Sequence, residues 1–286
     1  MLPLIPVQLT QVTTTDGVDL AGIVIQPKRH TRLAIIQVHG LNSSFTRGHE
    51  ITRCLGAYCL RQGIGLFKFN NRGHDILAKA GTRLAGGGAE KFTDCLKDVD
   101  AVIALARQCG YSQFILSGHS TGANKALYYT YKGRTKLAGL MLTGPMSDIS
   151  GAYQTEGKTK IKRLVAQAER IARRNPQQLI SNDGNIRTAA RTISLLKPGQ
   201  AEDVFQYYRH GTWSALRSVC CPLLVVIGEH DQHLDRPVDN CLVAFGVQAT
   251  RAQSVTLRSI PGADHGFRGK EKLVVHVTED WLRTIL

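Results

Sequence analysis

The sequence predicts a doubly wound, mostly parallel α/β sheet, and three observations carry that expectation. Short apolar runs without alternation recur along the chain: LAIIQVH (33–39), GIGLFKFN (63–70), QFILSG (113–118), LAGLMLTG (137–144) and PLLVVIG (222–228). Runs of this kind suit parallel strands covered on both faces. Stretches with helical periodicity lie between them, and such alternation is the mark of a wound sheet. A length of 286 residues accommodates one domain of this class. It also buries roughly three quarters of the unfolded surface, so the core needs no disulfide or metal.

Taken in order, the first elements are a hairpin. VQLTQVTT and DLAGIVIQ alternate in polarity around Asp16-Gly17, a strong two-strand turn signal. In 48–62, Ile51, Leu55 and Tyr58 share a helical face, with Cys54 and Cys59 beside them. In 90–109 the stripe is Phe92, Leu96, Val99, Ile103 and Ala106, and Gly110 follows where a helix should end. ANKALYYTYK (123–132) predicts the next helix. VTLRSIPG (255–262) reads as a more polar last strand, and 270–285 places Leu273, Val274, Val277, Trp281 and Leu282 on a closing helix. From about 146 to 216 no good strand is found. Ile161, Leu164, Val165, Ala168, Ile171 and Ala172 form one helical stripe there, and Ile186, Ala189, Ala190 and Ile193 another. The expected organisation is a core of residues 1–145 and 217–286 with a helical insertion at 146–216.

Composition narrows the function classes. No apolar run approaches the roughly 20 residues of a membrane span. MLPLIPVQLT has no basic residue ahead of its short apolar run, so a signal peptide is not expected and a cytoplasmic address is. The cysteines, Cys54, Cys59, Cys95, Cys109, Cys220, Cys221 and Cys241, are odd in number and lack CxxC or Cys/His zinc spacing. Most sit in apolar patterns, as small buried residues of a reduced protein do. No metal and no cofactor is expected. The formal net charge is +14, and residues 151–200 hold ten basic residues against three acids. Such a field favours anionic partners. It comes without a recognition motif or interleaved aromatics, so nucleic acid is not expected. A solvated basic face and a field serving an anionic substrate remain.

The chemistry gathers around SGHSTG (117–122). A G-x-S-x-G between a strand and a helix is a nucleophile elbow, in which small residues at 118 and 122 let the two elements pack closely around a strained serine. An ordinary N-cap is the other use of a serine at this junction. A serine hydroxyl attacks only when a base takes its proton and an acid orients the base. Chain order on this fold is Ser, acid, His. VVIGEHDQHLD offers Asp231 at a strand end, with Glu229 and Asp235 as competing acids. SIPGADHGF then offers His265 as base. His230 and His233 precede the last strand and read as surface residues; Asp264 reads as structural. The oxyanion needs donors. The Thr121 N–H is one candidate, and the Leu41 N–H in VHGLNSS (38–44) is the other, with Asn42 as a side-chain donor or a turn residue.

HGLNSS, GHSTG and GADHG, with Asp231 between the last two, resemble the α/β-hydrolase superfamily over nearly the whole chain. Within it, FNNRGHD (69–75), the Glu90–Asp98 helix start and GHSTGANKALYY (118–129) are similar to a group of bacterial hydrolases and, more loosely, to fungal siderophore esterases. The resemblance implies that 146–216 is a cap over the active site and that Ser120, Asp231 and His265 are a triad. Serine at 120 disfavours the branches with an aspartate nucleophile. The implied activity is cleavage of a small carboxylic ester through an acyl-enzyme. A thioesterase or acyltransferase on the same triad, or a noncatalytic binding protein on this fold, are the alternatives. FNNRGHD departs from the commoner D-x-R-G-x-G pattern by carrying Asn for Asp. Arg72 and Asp75 are expected to brace loops, and a substrate role for His74 is the lesser reading of that side chain.

Overall fold

The apolar runs pair side by side, as their lack of alternation requires. In the computed structural model, which describes residues 4–81, 83–182 and 184–285, β1 (Gln8–Thr13) and β2 (Asp19–Ile25) form the expected hairpin. They are followed by β3 (Leu33–Val38), β4 (Gly65–Phe69) and a small hairpin of β5 (Ala78–Ala80) and β6 (Arg83–Ala85). Next come β7 (Gln113–His119), β8 (Gly139–Thr143), a second small hairpin of β9 (Leu179–Asn182) and β10 (Asn185–Thr188), then β11 (Leu223–Gly228) and β12 (Val255–Ile260). Eight strands make one sheet in the order β1-β2-β4-β3-β7-β8-β11-β12. β1 and β2 run antiparallel, as do β2 and β4, and every pairing from β4 to β12 is parallel.

Both faces of the parallel part are apolar, and the period of two sorts them. Ile35, Leu66, Ile115, Met141 and Leu224 pack under α1 (His49–Gln62) and α9 (Glu271–Ile285). Ile36, Phe67, Leu116, Leu142 and Val225 pack on the other face, under α2 (Cys95–Gln108), α3 (Thr121–Tyr131) and α8 (Val238–Gln248). All seven cysteines are free, with Cys59, Cys95 and Cys241 buried. No helix among the described residues is long and apolar enough to cross a membrane.

The chain between β8 and β11 carries α4 (Asp148–Ala152), a π-helical turn at Tyr153–Gly157, α5 (Lys158–Ala172), the β9–β10 hairpin, α6 (Ala189–Leu196) and α7 (Ser214–Arg217). The hairpin corrects the expectation of a strand-free segment. Its strands are four residues each and largely polar, too short and too mixed to register as period-two runs. Ile186 accordingly sits on β10, 41% exposed, and not on a helical stripe. Ile161, Leu164, Val165, Ala168, Ile180, Ala189, Leu195 and Leu196 form a small core of this segment's own. The amphipathic α5 turns Lys162, Arg163 and Arg170 outward, and Arg173 and Arg174, just past its end, are exposed as well.

A second correction concerns charge. Arg191, counted with the basic excess, is fully buried. Lys125 Nζ on α3 pairs with Glu90 Oε2 at 2.7 Å, and Glu90 Oε1 lies 3.3 Å from Arg191 Nη2. Arg191 Nη1 then pairs with Glu202 Oε1, which also accepts from Ser194 Oγ at 2.6 Å. Two cations and two carboxylates thus balance inside the protein, and Arg191 Nε satisfies the Gly87 carbonyl at 2.9 Å. Arg72 makes a separate brace, to Asp98 at 2.7 Å, Asp16 at 3.0 Å and Asp94 at 3.3 Å.

Removing one partner of such a chain leaves a buried charge uncompensated. Arg191→Met should therefore lower unfolding free energy by about 3–5 kcal/mol, read as a shift of the urea midpoint. A shift below about 1 kcal/mol would show that the carboxylates are neutralised some other way.

Candidate active site

The strand β7 stops at His119 and α3 starts at Thr121, with one residue to turn the corner. Ser120 does so at φ 56°, ψ −129°, a positive φ that costs a non-glycine residue of order 1–3 kcal/mol. The neighbours enforce it. A Cβ on Gly118 would lie 2.2 Å from the Gly122 carbonyl oxygen, and one on Gly122 would lie 2.3 Å from that of Val38. The Ser120 N–H donates to the Thr143 carbonyl at 3.0 Å. Although Ser120 occupies the N-cap position of α3, its side chain makes no capping hydrogen bond. Its Oγ donates instead to a weak acceptor, Met146 Sδ, at 3.9 Å.

Two loops from neighbouring parallel strands meet beside this corner. His265 follows β12 and Asp231 follows β11; His265 Nδ1 lies 2.7 Å from Asp231 Oδ2. A Cβ on Gly144, next to the acceptor of the Ser120 N–H, would sit 3.0 Å from His265 Cε1. The loops are tied together: His230 N–H donates to the Ala263 carbonyl at 2.9 Å, and Gly262 N–H to Glu229 Oε2 at 2.8 Å. Asp231 Oδ1 accepts the His233 N–H at 2.9 Å. Burial pushes the Asp231 carboxyl up, but its bond to His265 and these neighbours outweigh burial and hold it below its ordinary value. The other carboxylates are engaged elsewhere. Asp235 is clamped by Arg236 at 2.8 Å on both oxygens, and Asp264 accepts the Arg268 N–H at 3.0 Å.

Two histidines join this cluster without having been expected there. His119, the variable position of the elbow motif, stacks 4.9 Å from His265. Burial, with the His265 charge acting in the same direction, drives its pKa down to about 3. His233 is exposed, as its sequence position suggested, yet its ring meets His265 edge-on at 4.5 Å. His230 stays at the surface.

The loop after β3 approaches from the other side. A Cβ on Gly40 would lie 2.9 Å from Ser120 Cβ, so the Gly40–Leu41 peptide borders the serine. His39 Nε2 accepts the Asn71 N–H at 3.1 Å, which leaves the Nδ1–H to donate to the Gly40 carbonyl at 2.9 Å. Burial, the largest cause, brings the His39 pKa down to about 3, so the ring is neutral. With the Gly40 carbonyl pulled back, planarity directs the Leu41 N–H the opposite way. Thr121 N–H, first in α3, has no acceptor inside its helix. Asn42 turns at φ 55° with its Oδ1 against Gly87, which makes it a turn residue. Asp75 braces, its N–H bonding the Ser43 carbonyl at 3.0 Å, while His74 pairs with the Asp75 side chain. Among the described residues, no cluster of His, Cys, Asp and Glu could hold a metal ion.

A family model described as serine aminopeptidase, S33, matches residues 29–271. The siderophore hydrolase EstB from Aspergillus fumigatus aligns at TM-score 0.72 and 16% identity, covering 99% of each chain. Est1E from Butyrivibrio proteoclasticus aligns at 0.64 and 17%, covering 97% of this chain and 98% of its own. A soluble variant of monoglyceride lipase from Saccharomyces cerevisiae aligns at 0.69 and 15%, covering 99% and 96%. These likenesses are of fold. A search of curated protein sequences matched none.

The elbow geometry leaves no room for a methyl group on Gly118. Gly118→Ala should destabilise the protein by about 1–3 kcal/mol or more in urea unfolding. An unchanged midpoint would mean that the Gly118–Gly122 contact is not a constraint.

Proposed function

The chain belongs to the S33 serine aminopeptidase family of α/β hydrolases, and on that premise we propose that it cleaves a small carboxylic ester through an acyl-enzyme on Ser120. The observation that carries this reading is the serine itself: it holds a strained backbone conformation while its hydroxyl serves no capping role. A residue kept at such cost, one peptide from a paired Asp and His, has chemistry as its reason.

Asp231 holds the His265 Nδ1–H and so leaves Nε2 bare as the base. Turning the Ser120 hydroxyl away from Met146 engages that nitrogen. Oγ attacks the ester carbonyl as Nε2 takes its proton, and the Leu41 and Thr121 N–H groups receive the oxyanion. Collapse expels the alcohol, protonated by His265, and leaves an acyl-Ser120. A water then repeats the sequence, releasing the acid and restoring the serine. Asp231 stabilises the imidazolium formed in each half. His39 positions the Leu41 N–H. Residues 146–216 form the cap over this site on the core of 1–145 and 217–286, a role supported by Leu41 packing against the insertion's own core.

Ser120→Ala should fold normally and lose on the order of 10⁶ in kcat on a matched ester. Retention of more than about one per cent of turnover would overturn the nucleophile assignment. Asp231→Asn should cost roughly 10⁴, with Asp235→Asn near wild type; the reverse ranking would move the acid. Labelling of wild type but not Ser120→Ala by a fluorophosphonate separates an enzyme from a binding protein, and paired oxygen esters and thioesters separate the two hydrolase classes. The exposed cations of α5 should favour anionic substrates. A carboxylate-bearing ester should show higher kcat/KM than a neutral one of equal size, the gap closing as the Debye length falls from about 10 Å at 0.1 M salt to 3 Å at 1 M. Equal kcat/KM at low salt would leave those charges a solvation role alone.

A further inference from the structure

A cavity of about 480 Å³ lies apart from Ser120, Asp231 and His265, none of which lines it. It lies on the opposite side of His119, between the sheet and the helices α1 and α9. The sheet face beneath it should be apolar, as its flanking residues Ile35, Leu66, Ile115 and Leu224 are. One cross-strand row breaks the rule. Lys68 on β4 is in register with Gln37 on β3, and Gln37 is in register with Ser117 on β7. Three polar side chains thus stand abreast on adjacent strands, all lining the cavity.

Their own hydrogen bonding is incomplete. Lys68 is 7% exposed. Its Nζ donates to the Arg47 carbonyl and to Thr52 Oγ1 at 2.8 Å, two neutral acceptors for three N–H groups. No carboxylate lies within ion-pair distance of it among the described residues, whereas the buried cations Arg72, Lys125 and Arg191 are each paired. Gln37 Oε1 is buried with no hydrogen-bond partner. Around this row the apolar walls are Leu55, Met141, Val274 and Val275, and Glu50, Arg268 and Glu271 also line the cavity. A buried cation without a counter-ion is expensive, and a cavity of this size with a polar floor and apolar walls is built as ligand sites are.

We propose that this cavity is a second binding site, for a monocarboxylate carrying a short apolar chain. The carboxylate completes Lys68 with the missing acceptor and the missing negative charge, and accepts from the Gln37 Nε2–H and the Ser117 hydroxyl; the unpartnered Gln37 Oε1 is itself an acceptor and is not met by the anion. The chain lies along the aliphatic walls. Arg47 and Arg268 also line the cavity, against Glu50 and Glu271; those two cations and two carboxylates cancel, so Lys68 leaves one positive charge, and a monoanion fits where a phosphate dianion would be left over-charged. Burial drawing the Lys68 pKa down to about 8 fits an amine whose counter-ion comes from outside the fold. His119 lines this cavity as well as touching His265, so a bound acid would sit one ring beneath the proposed base. The inference does not depend on ester hydrolysis, because its readout is binding.

The test is calorimetry and thermal unfolding of the intact protein with hexanoate, hexanol and inorganic phosphate. Hexanoate should bind and raise Tm, and hexanol and phosphate at equal concentration should not. K68M and Q37M each remove a side chain whose bonding is incomplete, so both should fold with Tm equal to or above wild type, yet bind hexanoate at least about tenfold more weakly. Should K68M fail to fold, Q37M decides alone. Hexanoate that stabilises no better than hexanol, or that binds the folded variants as tightly as wild type, overturns the proposal.

Discussion

The buried chain Lys125–Glu90–Arg191–Glu202 is the constraint on which the rest of the molecule leans. Its four charges cannot be left unpaired in the interior, because each would carry a desolvation penalty of several kcal/mol. They must therefore meet, and meeting fixes three separate pieces of backbone. Lys125 belongs to α3, whose first residue follows Ser120. Glu90 ends the long loop after β4. Arg191 belongs to α6 of the insertion. Lys125 Nζ also donates to Asn71 Oδ1 at 2.7 Å, and Asn71 N–H holds His39. One run of contacts thus reaches from the insertion to the peptide that presents the Leu41 N–H.

What this frame supports is built mostly of backbone. The elbow is shaped by two carbonyl oxygens that a Cβ at Gly118 or Gly122 would strike. The Leu41 peptide is aimed by a neutral imidazole. The side chains of the proposed triad, Ser120, Asp231 and His265, each follow the C-terminal end of a parallel strand, where wound sheets deliver their ligand-facing loops. Strain at Ser120 persists because the contacts around it leave no relaxed alternative.

The strands and the elbow were legible because their signals are local. Apolar runs announce buried parallel strands, and SGHSTG carries its own flanks. The loop order pointed to the 229–235 segment but could not choose within it; Arg236 engages Asp235, and that pairing is visible only in space. The ion chain was illegible for the same reason. Lys125 and Glu90 are 35 residues apart and Arg191 and Glu90 101 apart, and a lone Arg in a basic segment reads as exposed. The β9–β10 hairpin was too short to show a period. Helix α8, rich in apolar residues on several sides, gave no clean stripe. His119 and His233 obey no spacing rule, so their stacking on His265 had no signal to find.

Leu41 belongs to two structures at once: its backbone borders Ser120 and its side chain packs on the hydrophobic cluster of Ile161, Leu195 and their neighbours. The segment between β8 and β11 is therefore not an interchangeable module. A chimaera whose imported segment lacked these side chains would bring new walls against Leu41 and would leave Glu90 without its arginine. Substitutions that unseat position 41 would disturb both structures. New surfaces can evolve on the outward side of α5 far more freely than on the side that touches the loop after β3.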